Sequence, residues 1–230
     1  MSSVLSGYPI GAKILSDMYE NGEISLSDTK TIMTFTSTSG PMFIVGSVGS
    51  MMLHNKTYGF IILVCHYLSA LLNGLIYRNR KKSGQTQPKE VILGKNLLNN
   101  SVSDTVTSVL ISGAYIAIFY MIAVMLKNVG ILNLISDFLN LFFQNKALCD
   151  GISFGLVEMT GGCALLSSTS TPFTLPAICA IISFGGLSVT LQSLTFLGNC
   201  NIKPTRYLLS KVTQSIIAFI LTYLVVVFCL

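Results

Sequence analysis

Long apolar runs recur along the chain and limit its possible folds more than any other feature. Tyr58–Tyr77 contains no Asp, Glu, Lys or Arg, and comparable runs cover residues 106–126, 173–197 and 207–230. About 20 apolar residues in a helix are enough to cross the hydrocarbon core of a bilayer, which is roughly 30 Å thick. The chain is 51% hydrophobic and only 10% charged, whereas soluble chains are about 25% charged. We therefore predict an all-α polytopic membrane protein that has the lipid bilayer as a partner.

The remaining composition argues against several other classes of protein. The six cysteines are scattered, without a CxxC or Cys/His spacing, so they predict neither a metal site nor a disulfide framework. No nucleophile is paired with a base, and no phosphate-binding loop is present, so we do not expect an enzyme or a bound cofactor. The net charge of +5 is explained by membrane orientation and does not require a nucleic-acid partner.

Two of the apolar segments are interrupted near their middle. In the first, a helix expected to be capped by residues 27–28 meets hydroxyl side chains, a glycine and a proline at residues 36–41, before a second half that runs to about Leu53. Pro41 cannot donate a backbone hydrogen bond and disfavours helix at the residue before it. The second interruption covers residues 183–188 and contains a double glycine. The pattern predicts two discontinuous membrane helices.

One carboxylate, Glu158, falls inside an apolar segment. A charge in hydrocarbon costs roughly 2.5–3.5 kcal/mol even on the most lenient scale, so it is tolerated only where it faces protein or water. The next residues, Thr160-Gly161-Gly162, predict the tip of a re-entrant hairpin with arms at 151–158 and 162–166. Backbone freed at such a tip is tolerated only where it lines a cavity. An acid beside a broken helix is therefore expected at a solute site.

The two halves of the chain repeat the same order of segments. Each has a hairpin element, a broken helix and a plain span, and corresponding features lie about 145–150 residues apart. Interrupted segments at matching positions of two halves indicate a transporter site. We predict a first repeat at 1–77, a cytoplasmic basic linker at 78–105, a connecting span with an interfacial helix at 106–145 and a second repeat at 146–230.

The basic residues predict how these segments cross the membrane. If Arg78–Lys82 is cytoplasmic, the positive-inside rule places most basic residues on the same side, and the two repeats cross in opposite directions. The predicted cytoplasmic set is Lys13, Lys30, Arg78, Arg80, Lys81, Lys82, Lys89, Lys95, Lys203, Arg206 and Lys211. The predicted outer set is Lys56, Lys127 and Lys146. The expected fold is an inverted-topology repeat.

Four motifs in this order resemble those of the YlbJ-type sporulation integral membrane proteins, in the wider nucleoside-recognition or Gate domain group. They are residues 6–13 (SGYPIGAK), 39–44 (SGPMFI), 155–162 (GLVEMTGG) and 184–192 (FGGLSVTLQ). The resemblance implies a fold like that of concentrative nucleoside transporters and a role in endospore formation, where the YlbJ type is associated with moving dipicolinic acid towards the forespore. Because this chain resembles the C-terminal portion of longer members, an N-terminal partner chain or a homo-oligomer is expected.

The candidate site combines Glu158 with polar and glycine residues at the breaks. Glu158 would couple a proton or Na⁺, or would hold hydroxyls and backbone amides in place. The other candidates are Ser37, Thr38, Ser39, Gly40, Thr160, Gly161, Gly162, Gly185, Gly186, Ser188 and Gln192. Structural kinks, with Ser and Thr bonded back to the helix, are the alternative. His66 is expected to form a hydrogen bond between helices.

These patterns predict a multi-pass membrane transporter, or its C-terminal half, for a small organic solute. The resemblance names dipicolinic acid as the first candidate and a membrane around the forespore as its location. A nucleoside carrier is the alternative within transport. A structural membrane protein needed for spore maturation, which transports nothing, is the alternative from another class.

Overall fold

The computed structural model describes residues 7–78, 97–200 and 202–229, and all regular structure in these ranges is helical. The helices are α1 (Ile10–Glu20), α2 (Leu26–Thr36), a π-helix (Met42–Met52), α3 (Lys56–Ile76), α4 (Leu97–Asn128), α5 (Ile131–Phe143), α6 (Lys146–Val157), α7 (Met159–Ser167), α8 (Thr174–Phe184), α9 (Gly186–Leu197), a short 3₁₀ turn (Gly198–Cys200) and α10 (Pro204–Cys229). Most of the predicted basic linker lies outside the described residues.

Four of the described helical stretches are long and apolar enough to cross a membrane. They are Lys56–Ile76, Thr105–Asn128, Thr174–Leu197 and Pro204–Cys229. The third runs through α8 and α9 and therefore contains the predicted break. The prediction of an all-α, multi-pass membrane protein is confirmed.

The broken helix α8–α9 lies at the centre of the packing. Helix α8 packs against α3, α7 and α10, and its apolar side chains Ile178 and Ile182 are fully buried. They share one core cluster with Ile44 of the π-helix, Ile62 of α3 and Leu166 of α7. Elements from both halves of the chain therefore bury their side chains around α8.

Close glycine contacts set the packing of the short elements. A Cβ built on Gly49 of the π-helix would lie 2.7 Å from the Cα of Gly59 in α3, so these two helices approach through their backbones. Gly46 lies three residues earlier in the π-helix, and a Cβ built on it would meet nothing within 4 Å. Only Gly49 of this pair is needed for close packing.

Helix α5 carries the predicted amphipathic pattern. Its apolar side chains Leu134, Phe138 and Leu141 are exposed, while Ser136 is buried and donates to Asp150 of α6. Lys146 at the start of α6 lies 2.6 Å from Asp137 of α5, and this hydrogen bond raises the pKa of Lys146. Polar contacts thus fix α5 on α6, and its location at the membrane interface stays a prediction.

Two local predictions were wrong. The cap of α2 is Ser25, whose hydroxyl accepts from the N–H of Asp28, and not residues 27–28. The turn of the second hairpin is at Glu158, and Thr160-Gly161-Gly162 lies inside α7. These three residues are helical because the Glu158 side chain caps their N–H groups and because Gly162 allows α7 to pack directly on Gly155 of α6.

Candidate solute-binding site

The first break, Ser37–Gly40, is a buried non-helical segment between α2 and the π-helix. The N–H of Ser39 donates to His66 Nε2 at 3.0 Å, and the Tyr67 hydroxyl donates to the Ser39 carbonyl at 3.1 Å. The Ser37 carbonyl accepts from Lys211 of α10. Backbone groups released by the break are thus bound by side chains of both plain spans, α3 and α10.

The second break consists of two glycines in the left-handed region. Gly185 has φ 83° and Gly186 has φ 66°, a conformation that other residues adopt only at an energetic cost. A Cβ on Gly186 would lie 3.0 Å from the Gly155 carbonyl oxygen and 3.2 Å from the Met159 nitrogen. The break therefore packs directly against the turn between α6 and α7.

His66 connects the two breaks. Its Nε2 accepts from Ser39 in the first break, and its Nδ1 is 2.8 Å from the Ser183 hydroxyl, two residues before the second. The ring is fully buried. The contact with Ser183 is the predicted hydrogen bond between helices. Together with the bond from Ser39, it links the two interrupted segments.

Glu158 forms the corner between α6 and α7 and is 1% exposed. Its Oε1 accepts from the N–H of Thr160 at 2.9 Å, and its Oε2 accepts from the N–H of Gly161 at 2.6 Å. A carboxylate at a helix N-terminus is favoured by both these bonds and the helix dipole. The carboxylate therefore binds backbone N–H groups of its own hairpin.

Two adjoining cavities lie on either side of Thr160. One of about 260 Å³ is lined by Tyr8, Ser39, Gly40, Thr160 and Gln192, among others. The second, of about 450 Å³, is lined by Glu158, Thr160, Gly161 and residues of α4 that include Tyr120 and Lys127. Thr160 and Ile116 line both. The cavities thus bring together residues of the first break, the hairpin corner and α9.

Several buried polar side chains near the breaks have no hydrogen-bond partner among the described residues. They are the hydroxyls of Thr38, Ser188 and Thr190 and the amide nitrogens of Gln192 and Gln214. Buried polar groups are normally paired, because an unpaired one costs roughly 1–3 kcal/mol. A concentration of such groups is typical of a site that binds a polar molecule.

The charge pattern predicts a cytoplasmic location for Lys211, but the structure buries its side chain. Its side chain is 1% exposed and lies within α10. The ammonium group donates to Tyr8 Oη at 3.3 Å, to Gln214 Oε1 at 3.1 Å and to the Ser37 carbonyl. One signal in the sequence could have identified it: Lys211 interrupts the last apolar run, where a charge is costly unless it faces the interior.

The predicted site residues separate into groups by location. Ser39, Gly40, Glu158, Thr160, Gly161 and Gln192 line the two cavities. Ser37, Thr38 and Ser188 are buried beside them. Gly185 and Gly186 form the second break, whereas Gly162 is in close backbone contact with Gly155. A further cavity of about 660 Å³ lies between α2 and α3 and contains none of the predicted residues.

Replacing His66 with alanine is expected to destabilise the protein by roughly 1–3 kcal/mol, because the buried N–H of Ser39 loses its acceptor. Thermal unfolding of the purified protein in detergent measures this effect. His54→Asn is the matched control, since His54 is exposed and its φ of 52° suits asparagine. Equal midpoints for the two variants would contradict the bridging role of His66.

The comparisons with known proteins agree with the sequence motifs. The sporulation integral membrane protein YlbJ of Bacillus subtilis (strain 168) is 27% identical to the chain over 249 aligned positions. This chain is similar to YlbJ. The resemblance stated from the motifs is thereby confirmed, and it covers 95% of the chain. No protein-family profile matches the chain, and no solved structure matches it.

The chain spans 61% of the length of its YlbJ relative. YlbJ is named an integral membrane protein, and the four apolar helical stretches give this chain a multi-pass location in a membrane.

Proposed function

We propose that this chain forms the solute pathway of a membrane transporter for a small organic solute, with dipicolinic acid as the first candidate. The observation that carries the proposal is the meeting of two helix breaks around buried polar groups that have no partner among the described residues. Unwound backbone at membrane depth is tolerated where it lines a cavity. The similarity to a sporulation membrane protein supports a role in endospore formation, in a membrane around the forespore.

An inverted-topology repeat is part of this proposal. The order short helix, half-helix, break, half-helix and plain span occurs twice, as α1 to α3 and as α7 to α10. Helices α3 and α10 begin at Lys56 and Pro204, close to the spacing predicted from the sequence. Transport would then move the short helices and half-helices past a fixed scaffold, as in other inverted-repeat carriers. The proposed architecture resembles that of concentrative nucleoside transporters.

The role of Glu158 in transport follows from its position. It lines one cavity and fixes the start of α7, which separates that cavity from the other. We propose that Glu158 holds the hairpin in its binding conformation, and that coupling to a proton or Na⁺, if present, acts through this corner.

Flux across sealed vesicles tests the proposed function. The purified chain is reconstituted into liposomes that contain terbium, whose luminescence reports entering dipicolinate, and radiolabelled uridine is tested in parallel. We expect dipicolinate entry above that of protein-free vesicles. Entry of uridine alone would support the nucleoside carrier instead. Entry of neither solute would overturn transport by this chain and favour the structural role.

A further inference from the structure

The charge of Lys211 has no opposite charge beside it. The described residues contain no carboxylate within ion-pair distance of its ammonium group. Its three acceptors, Tyr8 Oη, Gln214 Oε1 and the Ser37 carbonyl, are all neutral. They account for the three donors of an ammonium group. A buried charge without a counter-charge is costly, so a negative group bound close to Lys211 would stabilise its charged form.

Tyr8 connects this charge to the smaller cavity. Its hydroxyl accepts from Lys211, the ammonium also lies 5.2 Å from its ring centre, and Tyr8 lines the cavity of about 260 Å³. No described residue accepts a hydrogen bond from the Tyr8 hydroxyl. A hydroxyl that accepts from a cation becomes a stronger donor, because the two bonds polarise each other. Its best partner is an anionic oxygen.

Glu158 and Lys211 do not form an ion pair among the described residues. Both carboxylate oxygens of Glu158 are engaged by N–H groups at the start of α7, and Glu158 lines the other cavity. Gln192 also lines the smaller cavity, and its Nε2 has no hydrogen-bond acceptor among the described residues. The chain therefore presents donors and a positive charge around the smaller cavity.

We propose that the Tyr8 hydroxyl, backed by the Lys211 ammonium, recognises a carboxylate group of the solute. This inference rests on the proposed function and deepens it, because it assigns two residues to the recognition of the solute's carboxylate. Tyr8 contacts the carboxylate. Lys211 is a positioning residue that supplies the charge through Tyr8 and also holds the Ser37 carbonyl of the first break.

Binding measured in detergent tests the proposal separately from transport. The probes are dipicolinate and pyridine-2,6-dicarboxamide, which has a similar shape but no charge. The wild-type chain is expected to bind dipicolinate at least about tenfold more tightly than the dicarboxamide, because hydrogen bonds to charged groups contribute more than those between neutral groups. Lys211→Met and Tyr8→Phe are both expected to remove most of this preference. Lys203→Met is the matched control, because Lys203 is exposed at the start of the same span and its charge is screened.

The outcomes distinguish the two proposals. Tyr8→Phe leaves the bonds from Lys211 to Ser37 and Gln214 in place, so it tests recognition even if Lys211→Met does not fold. A wild-type preference that persists in Tyr8→Phe and in folded Lys211→Met would overturn the inference while leaving transport intact. If the variants lose the preference for dipicolinate but the wild-type chain shows no flux in vesicles, the inference is supported and transport is rejected. Tighter binding of the neutral amide by the wild type would also overturn it.

Discussion

Glu158→Ala is expected to reduce solute flux to the background of protein-free vesicles while the chain still inserts into the membrane. The substitution removes the acceptor of two buried N–H groups, those of Thr160 and Gly161. Loss of such charge-assisted bonds costs roughly 1.5–3 kcal/mol each. The start of α7 lies against Gly186 of the second break and lines both cavities. A displaced α7 therefore changes the site itself.

Two further variants separate the cap from the charge. Glu158→Gln keeps one acceptor oxygen but turns an NH₂ group towards an N–H donor, so it is also expected to be inactive. Glu158→Asp keeps the charge and both oxygens on a shorter side chain, so partial flux is expected. Glu23→Gln is the matched control, because it removes a carboxylate from an exposed position.

The measurement combines flux with a test of insertion. Uptake by reconstituted vesicles is compared at equal amounts of inserted protein, which protection from protease and elution as a single species in detergent report. Uptake by Glu158→Ala vesicles equal to that of the parent would contradict the role assigned to Glu158. Failure of Glu158→Ala to insert would show that the turn at Glu158 is needed for folding, before any role in flux.

The positions of both breaks could be predicted because the responsible residues act locally. Pro41 restricts the backbone at and before itself in any context, and a double glycine supplies the positive φ angles seen at Gly185 and Gly186. The plain spans were predictable for a similar reason, since length and apolarity are properties of a continuous segment. The helix ends at Ile76 and Cys229 lie within one residue of the predicted ends.

The function of a residue in three-dimensional packing could not be predicted in this way. Gly161-Gly162 resembles Gly185-Gly186 in sequence, yet the first pair is helical and the second forms a break. Gly162 packs on the Cα and nitrogen of Gly155 in α6, whereas Gly186 packs on the carbonyl oxygens of Gly155 and Val157 and on the nitrogen of Met159. The burial of Lys211 likewise depends on partners distant in sequence, such as Tyr8 and Ser37. A count of charges along the chain cannot distinguish a buried lysine from one at the surface.

Gly162→Ala is expected to prevent stable folding of the hairpin formed by α6 and α7. An added Cβ would lie 2.3 Å from the Cα and 2.7 Å from the nitrogen of Gly155. These are backbone atoms, which cannot rotate away as a side chain can. The two helices must separate, and Leu166 then loses its contact with Gly151. Overpacking in a core usually destabilises a protein by about 1–3 kcal/mol. We expect a clash with backbone atoms to cost at least as much as the upper value of this range.

A graded series of glycine variants makes this prediction specific. A Cβ on Gly155 would meet the side chain of Ile181 at 2.9 Å, which can shift, so Gly155→Ala is expected to be intermediate. A Cβ on Gly113 in α4 would meet nothing within 4 Å, and alanine favours helix over glycine by roughly 1 kcal/mol. Gly113→Ala is therefore expected to be neutral or stabilising. The thermal midpoint in detergent is expected to be highest for Gly113→Ala, intermediate for Gly155→Ala and lowest for Gly162→Ala. Equal midpoints for Gly162→Ala and Gly113→Ala would mean that α6 and α7 are not in backbone contact, and that the corner at Glu158 is held by its hydrogen bonds alone.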